Sequence, residues 1–175
     1  MINFKNNLKT DEQILIYPTK PDEKYLSGRL VSYLERFPQV DSKSLLRFDD
    51  TSDHYGLFYC GNLIGGFRLT TINHRVSEVE EVFPQYKFEE NSFEFGRFWI
   101  ESKFKNLKLG YFGLDTLINS TPDFKIRNSY LKTGSCFSEK VEKYGYKYTG
   151  ISTEHPILKY QTFLFRKSKR EPNYG

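Results

Sequence analysis

The chain has 175 residues, 38% of them hydrophobic and 17% aromatic, with a formal net charge of +4. That length and aromatic content suit one globular domain over residues 1–175 with aromatic-lined clefts, and exclude a disordered chain. A charge of +4 is mild, and the basic residues lack aromatic interleaving, which argues against a nucleic-acid partner.

Cys60 and Cys136 are too few for a disulfide framework and match no zinc spacing, and His54, His74 and His155 have no metal-ligand spacing. No metal is expected, and both cysteines read as buried small residues of a reducing compartment. No window approaches the ~18 apolar residues of a membrane helix, and the start lacks the apolar core of a secretory signal. The expected location is cytoplasmic, away from membranes.

In chain order, Ile14-Leu15-Ile16-Tyr17 is a short apolar run ended by Pro18. From Pro21 to Phe37, Tyr25, Leu26, Leu30, Tyr33, Leu34 and Phe37 recur at three and four residues, which predicts a helix stopped by Pro38. His54–Cys60 and Leu63–Thr70 read as strands joined by a two-residue turn at Gly61-Asn62. A loop with an acidic rim follows (Glu78, Glu80, Glu81, Glu89 and Glu90). Beyond it, Leu107–Asn119 is a helix candidate, Phe124–Leu131 a strand, and Ser135–Lys143 a helix ended by Gly145; Gly145–Thr149 and Lys159–Phe165 close the sheet. The expected class is an α/β or α+β sandwich: a mixed, mainly antiparallel sheet with helices on both faces.

The most informative stretch is Ser92-Phe93-Glu94-Phe95-Gly96-Arg97-Phe98-Trp99-Ile100, a β-rich run with one acid and one base among aromatics. Strict alternation puts Glu94 with Gly96, Phe98 and Ile100 on one face, and Arg97 with Phe93, Phe95 and Trp99 on the other. A bulge, which also suits Gly96, would bring the two charges to one face. Charges on apolar faces are costly unless paired or used. A structural ion pair and a reactive pair both remain open from this segment alone.

The ordered set Arg29 and Tyr33, Phe48-Asp49, Tyr55, Ile64-Gly65-Gly66-Phe67-Arg68-Leu69, Glu81-Val82-Phe83-Pro84-Gln85 and Glu94-Phe95-Gly96-Arg97-Phe98 resembles acyl-homoserine-lactone synthases, the LuxI-type autoinducer synthases. The resemblance covers residues 25 to 100 and implies the fold of the GNAT acyltransferases. It also implies transfer of an acyl group from acyl carrier protein to the amine of S-adenosylmethionine, then lactonisation with release of methylthioadenosine, a quorum-sensing signal synthesis. Neither substrate is a permanently bound cofactor. The chain departs from the pattern at Phe37-Pro38-Gln39-Val40, where the family has a Trp, and at Leu46, where it has an acid.

An amine must lose a proton before it attacks a thioester, and a carboxylate held among aromatics could take it, which makes Glu94 the catalytic candidate beside Arg97. Arg29, Arg68 and Arg97 are candidates to anchor a carboxylate, since the planar guanidinium fork suits one. Asp49 and Asp50 could meet the sulfonium or amino cation, and Tyr33 and Phe98 complete the substrate-binding set. Lys103, Lys105 and Lys108 form a basic cluster suited to docking the acidic carrier protein. Rival readings are an N-acyl amino acid synthase, a CoA-dependent N-acetyltransferase, and a non-catalytic binder of carrier protein or acyl ligand. The acetyltransferase reading wants a Gly-rich pyrophosphate turn, which Leu107-Lys108-Leu109-Gly110-Tyr111-Phe112-Gly113 matches poorly.

Overall fold

The structure is a computed structural model that describes residues 2–4, 14–72, 77–89, 92–107, 128–134, 141–142 and 145–168. Its strands are β1 (Ile2–Phe4), β2 (Ile14–Pro18), β3 (Ser52–Tyr59), β4 (Asn62–Thr71), β5 (Ser92–Ile100), β6 (Asn128–Gly134), β7 (Lys147–Glu154) and β8 (Gln161–Ser168). They form one eight-stranded sheet in the order β1-β2-β3-β4-β5-β6-β8-β7. Every neighbouring pair is antiparallel except β5 and β6, which run parallel. The helices are α1 (Glu23–Leu34), α2 (Ser42–Leu46) and α3 (Glu78–Val82). Among the described residues no helix is long and apolar enough to cross a membrane.

Helix α1 starts where Asp22 caps it, its carboxylate accepting the Tyr25 N–H at 2.9 Å. It ends at Leu34, short of the expected Phe37, and a last turn in which the Arg36 and Phe37 N–H groups both donate to the Tyr33 carbonyl, at 3.0 and 2.8 Å, leads into Pro38. Its fully buried stripe is Tyr25, Arg29 and Ser32, whereas Leu34 and Val31 are exposed. The helix therefore turns a polar-bearing face to the sheet. Two glycines let it come close: a Cβ on Gly28 would stand 2.6 Å from the Trp99 ring, and one on Gly66 2.5 Å from the Tyr25 ring. Tyr25 also donates its hydroxyl to the Phe67 carbonyl at 2.9 Å and meets Trp99 edge-on, centroids 5.4 Å apart.

The β3–β4 hairpin turns one residue earlier than expected. Tyr59 pairs with Asn62, so Cys60 and Gly61 make the turn, with φ of 47° and 74°. Two positive φ values are what a type I′ turn demands, and they match the twist of the flanking strands. Cys60 is consequently exposed rather than buried, and Cys136 lies outside the described residues. The expected loop after β4 contains α3. Of the later helix candidates only Leu107 and residues 141–142 are described, and Leu107 closes a 3-10 helix, Ser102–Leu107. The strand expected over Phe124–Leu131 is described from Asn128 to Gly134.

Two features of β5 position the site. Gly66 of β4 pairs with Trp99 and Arg68 with Gly96, so Arg97 and Phe98 oppose the single residue Phe67. That is a β-bulge, and Arg97 adopts φ 52° within it. The bulge resets the alternation. Phe93, Phe95, Phe98 and Ile100 join one core with Phe67 and Leu69, while Glu94, Gly96, Arg97 and Trp99 face the α1 side. The strict alternation is thus corrected in favour of the bulged arrangement. The second feature is a parting of strands: β5 and β6 pair only from Ser92–Asn128 to Glu94–Tyr130. Past Glu94 and Tyr130 the two strands no longer pair with each other.

Gly66→Ala should destabilise the protein by about 1–3 kcal/mol or more through overpacking. The added methyl would lie 2.7 Å from the Tyr55 carbonyl oxygen, a sheet backbone atom with little room to move. Urea unfolding measures this, and a variant as stable as the native chain would contradict the close approach of α1.

Candidate functional site

Beneath α1 and α3 lies a buried cluster of charges drawn from three neighbouring strands, β4, β5 and β6, and from the helices and connections beside them. It contains Arg29, Arg68, Arg97 and Lys132 against Asp49, Glu78 and Glu94, with His155 at its edge. The hub is Glu78, 3% exposed, which meets Lys132 at 2.9 Å, Arg97 at 3.0 Å, Arg68 at 3.3 Å and His155 at 3.5 Å. Glu78 is the first residue of α3. Ser77 caps that helix by accepting the Glu80 N–H while the Glu80 carboxylate accepts the Ser77 N–H, a capping box.

Glu94 is wholly buried and engaged at both oxygens. One accepts the Val79 N–H at 3.1 Å and the other meets Lys132 at 3.1 Å. Its surroundings are cations and a backbone donor rather than the aromatic rings expected: alternation already puts Phe95 on the opposite face, and the bulge sends Phe98 there too. Gly96 keeps the floor open between Glu94 and Arg68. A Cβ there would lie 3.1 Å from a Glu94 carboxylate oxygen and 3.7 Å from Arg68 Nε.

The segment from Asp41 to Thr51 straps across the cluster. Asp49 receives a two-pronged contact from Arg29 and a further one from Arg68 at 3.0 Å. The strap also gives backbone carbonyls: Arg97 donates to Ser44 O at 3.1 Å, and Arg68 donates to Arg47 O. Phe48 sits at φ 67° in this strap, with the Arg47 and Arg68 guanidinium groups 5.0 and 5.7 Å from its ring. The Arg97 guanidinium lies 5.7 Å from the Tyr33 ring.

Of the residues singled out in the sequence, Arg29, Asp49, Arg68, Glu94 and Arg97 come together here, with Tyr33 beside them. Asp50 is exposed and outside these ion pairs, and Phe98 lies on the far face of β5. Lys103 pairs with Glu101 at 3.0 Å and Lys105 with Glu35 at 2.5 Å, so two members of the basic cluster are already partnered. Lys108 lies outside the described residues. Glu78, Lys132 and His155 were missed. The Ser77-x-x-Glu80 capping box is a readable signal for α3, but nothing in the local pattern separates the buried Glu78 from its exposed neighbour Glu81. Among the described residues no His, Cys, Asp and Glu group has the makings of a metal site.

Burial pushes the Glu78 carboxyl up, but the Lys132 ammonium and the Arg97 guanidinium, helped by His155 and Arg68, outweigh it and hold the group well below the usual carboxylate range. Burial pushes Lys132 down, and Glu78 and Glu94 more than reverse that, keeping it charged above its ordinary range. A buried charge is tolerated only with such compensation.

A carboxyl depressed in the folded state contributes stability that is present above its unfolded pKa, about 4.3, and is lost as pH falls from there through the lower folded value. Thermal midpoints of the native protein should fall below about pH 4. Glu78→Gln should cost about 3–5 kcal/mol near neutrality by stranding its cationic partners, and should flatten that acid-side fall. An unchanged acid limb in the variant would remove Glu78 from this role.

No protein-family profile matches the chain, and no curated protein does. Solved structures do match. The N-acyl amino acid synthase FeeM from uncultured soil microbes superposes with a TM-score of 0.72 at 9% identity, over 90% of this chain and 92% of that one. A GNAT family acetyltransferase from Elizabethkingia anophelis with acetyl-CoA bound gives 0.59 at 17% identity, over 89% and 97%. A Bacillus subtilis acetyltransferase in complex with CoA gives 0.62 at 10% identity, over 89% and 98%. At such identities the likeness speaks to architecture: the chain has the GNAT-like fold, a mixed, mainly antiparallel sheet with helices packed on it.

Proposed function

We propose that this protein, read as a single acyltransferase-like domain over residues 1–175, moves an acyl group from a thioester to an amine. The observation that carries this reading is the parting of β5 from β6 directly beside the Arg97 bulge and the buried charge cluster. A thioester laid in that opening runs along the β5 backbone past Glu94, where main-chain N–H groups would suit the oxygen of a tetrahedral intermediate. The amine nitrogen bonds to the carbonyl carbon, its proton passes to Glu94 directly or through a water, and the carbon–sulfur bond breaks as the departing thiolate takes that proton and leaves as the thiol. Structural neighbours that hold acetyl-CoA or CoA support a thioester donor.

The finer reading is an acyl-homoserine-lactone synthase. Five of the six charged residues that carry that resemblance, Arg29, Asp49, Arg68, Glu94 and Arg97, meet in one cluster although Arg29 and Arg97 lie 68 positions apart; the sixth, Glu81, pairs with Arg47 outside it. Acyl carrier protein is then the donor and S-adenosylmethionine the acceptor, whose own carboxylate closes the lactone by displacing methylthioadenosine. The protein's task in that second step is to hold a productive conformer. Lys103 and Lys105 remain docking candidates for the carrier despite their acidic neighbours. A second reading, an N-acyl amino acid synthase, is favoured by the FeeM superposition and by the Phe37-Pro38-Gln39-Val40 stretch without its Trp.

Mass spectrometry of products from a panel of acyl carrier proteins with S-adenosylmethionine, then with free amino acids, then from acetyl-CoA, separates these readings. Acyl-homoserine lactone with stoichiometric methylthioadenosine supports the first, and an N-acyl amino acid the second. Silence throughout would favour a non-catalytic binder. Glu94→Gln should lower turnover about 10²–10⁴-fold while leaving donor affinity in place; undiminished turnover would remove Glu94 from the proton path.

A further inference from the structure

His155 precedes the tight connection into β8, outside the stretch that carries the family resemblance. It is 1% exposed, and its ring stacks on Tyr160 with centroids 5.7 Å apart. Its Nδ1 accepts two backbone N–H groups, from Ile157 and Leu158, each at 3.2 Å. A ring nitrogen that receives two donors carries no hydrogen, so the proton sits on Nε2. In this tautomer Nε2 is a donor and not a base. It lies 3.5 Å from a Glu78 oxygen, a long contact that helps hold that carboxylate charged but leaves the donor without a hydrogen bond of ordinary length among the described residues. Buried donors are seldom left so.

An independent observation points the same way. The buried cluster sets four cations, Arg29, Arg68, Arg97 and Lys132, against three carboxylates, Asp49, Glu78 and Glu94. Among the described residues it is one anion short, and Arg68 Nε and Arg97 Nε are also without hydrogen-bond partners. What is missing is a negatively charged group that only accepts. Arg29 is committed to Asp49, and Arg68 is divided among Asp49, Glu78 and the Arg47 carbonyl. Neither is free to take that group alone.

We propose that the His155 Nε2–H binds a carboxylate oxygen of the acceptor substrate, and so separates an amino-acid-type acceptor from a plain amine. This rests on the acyltransferase reading for the acceptor's place in a reaction. The carboxylate completes the Nε2 donor and brings the cluster to charge balance in one event.

The test compares the acceptor found by the product panel with its decarboxylated counterpart, on the native protein and on H155N and H155Q. Asn keeps an acceptor near the Nδ1 position and deletes the Nε2–H, whereas Gln keeps a donor near Nε2. The native protein should prefer the carboxylated acceptor about tenfold or more. H155N should lose most of that preference through a raised KM for the carboxylated acceptor alone, and H155Q should recover part of it. An unchanged preference in H155N, or equal loss in both variants, overturns the proposal. A second measurement needs no turnover: the imidazole NMR signals, assigned with H155N, are followed while N-acetylglycine or N-methylacetamide is added. A downfield shift of the His155 Nε2 proton with the carboxylate probe only supports the proposal, even if no acceptor is ever acylated and the acyltransferase reading fails. No response to N-acetylglycine at the highest concentration the protein tolerates overturns it.

Discussion

Taking the Glu78 carboxylate out of water costs several kcal/mol even after relaxation, and the architecture around it is arranged to offset that cost. The compensating groups come from separate parts of the chain: Arg68 from β4, Arg97 from β5, Lys132 from β6 and His155 from the turn before β8. One side chain therefore ties three successive strands of the sheet to α3. The Asp41–Thr51 strap and α1 join through Asp49 and Arg29, which share Arg68 with Glu78. Displacing any of these elements would leave a charge in the interior without its partner.

Stability alone is a poor explanation for such an arrangement. Apolar side chains of similar volume often replace a buried ion cluster at no loss, or with a gain. A cluster of these charges beneath a helix, with cations in excess among the described residues, fits the proposed binding of a carboxylate-bearing acceptor. The rest of the fold is conventional packing by comparison. Phe67, Phe93, Phe95 and Phe165 fill the opposite face of the sheet, where the bulge at Arg97 also sends Phe98.

The bulge is the local event that separates the two faces. With one extra residue in β5, both Arg97 and Trp99 move to the side of Glu94, and Trp99 packs under α1. Without it, Arg97 would point into the aromatic core, where no carboxylate waits. Arg97 holds a positive φ, a conformation disfavoured for a side-chain-bearing residue, and its contacts to Glu78 and the Ser44 carbonyl hold it there. The β5–β6 separation begins two residues earlier, so strand pairing gives way to an opening where the charges are densest.

Much of the secondary structure was legible because it depends on near neighbours. The apolar period and Pro38 marked α1, Gly61 marked the β3–β4 turn to within one residue, and the aromatic run of β5 marked a strand. The order of charged residues from Arg29 to Arg97 was legible as well, through resemblance rather than periodicity. The apolar period of α1 misled as to its buried face, since it traces a half-buried stripe and the face against the sheet carries Arg29 and Ser32. Glu78, Lys132 and His155 were invisible, because an acid in an acidic stretch and a lysine in a strand look the same buried or exposed. By itself the sequence determined α1, the β3–β4 hairpin to within one residue, the β5 strand and the candidates for acid and base. Only the tertiary structure decided which of those charges are buried together, because burial is set by contacts between residues as far apart as Arg29 and His155, and no local pattern encodes them.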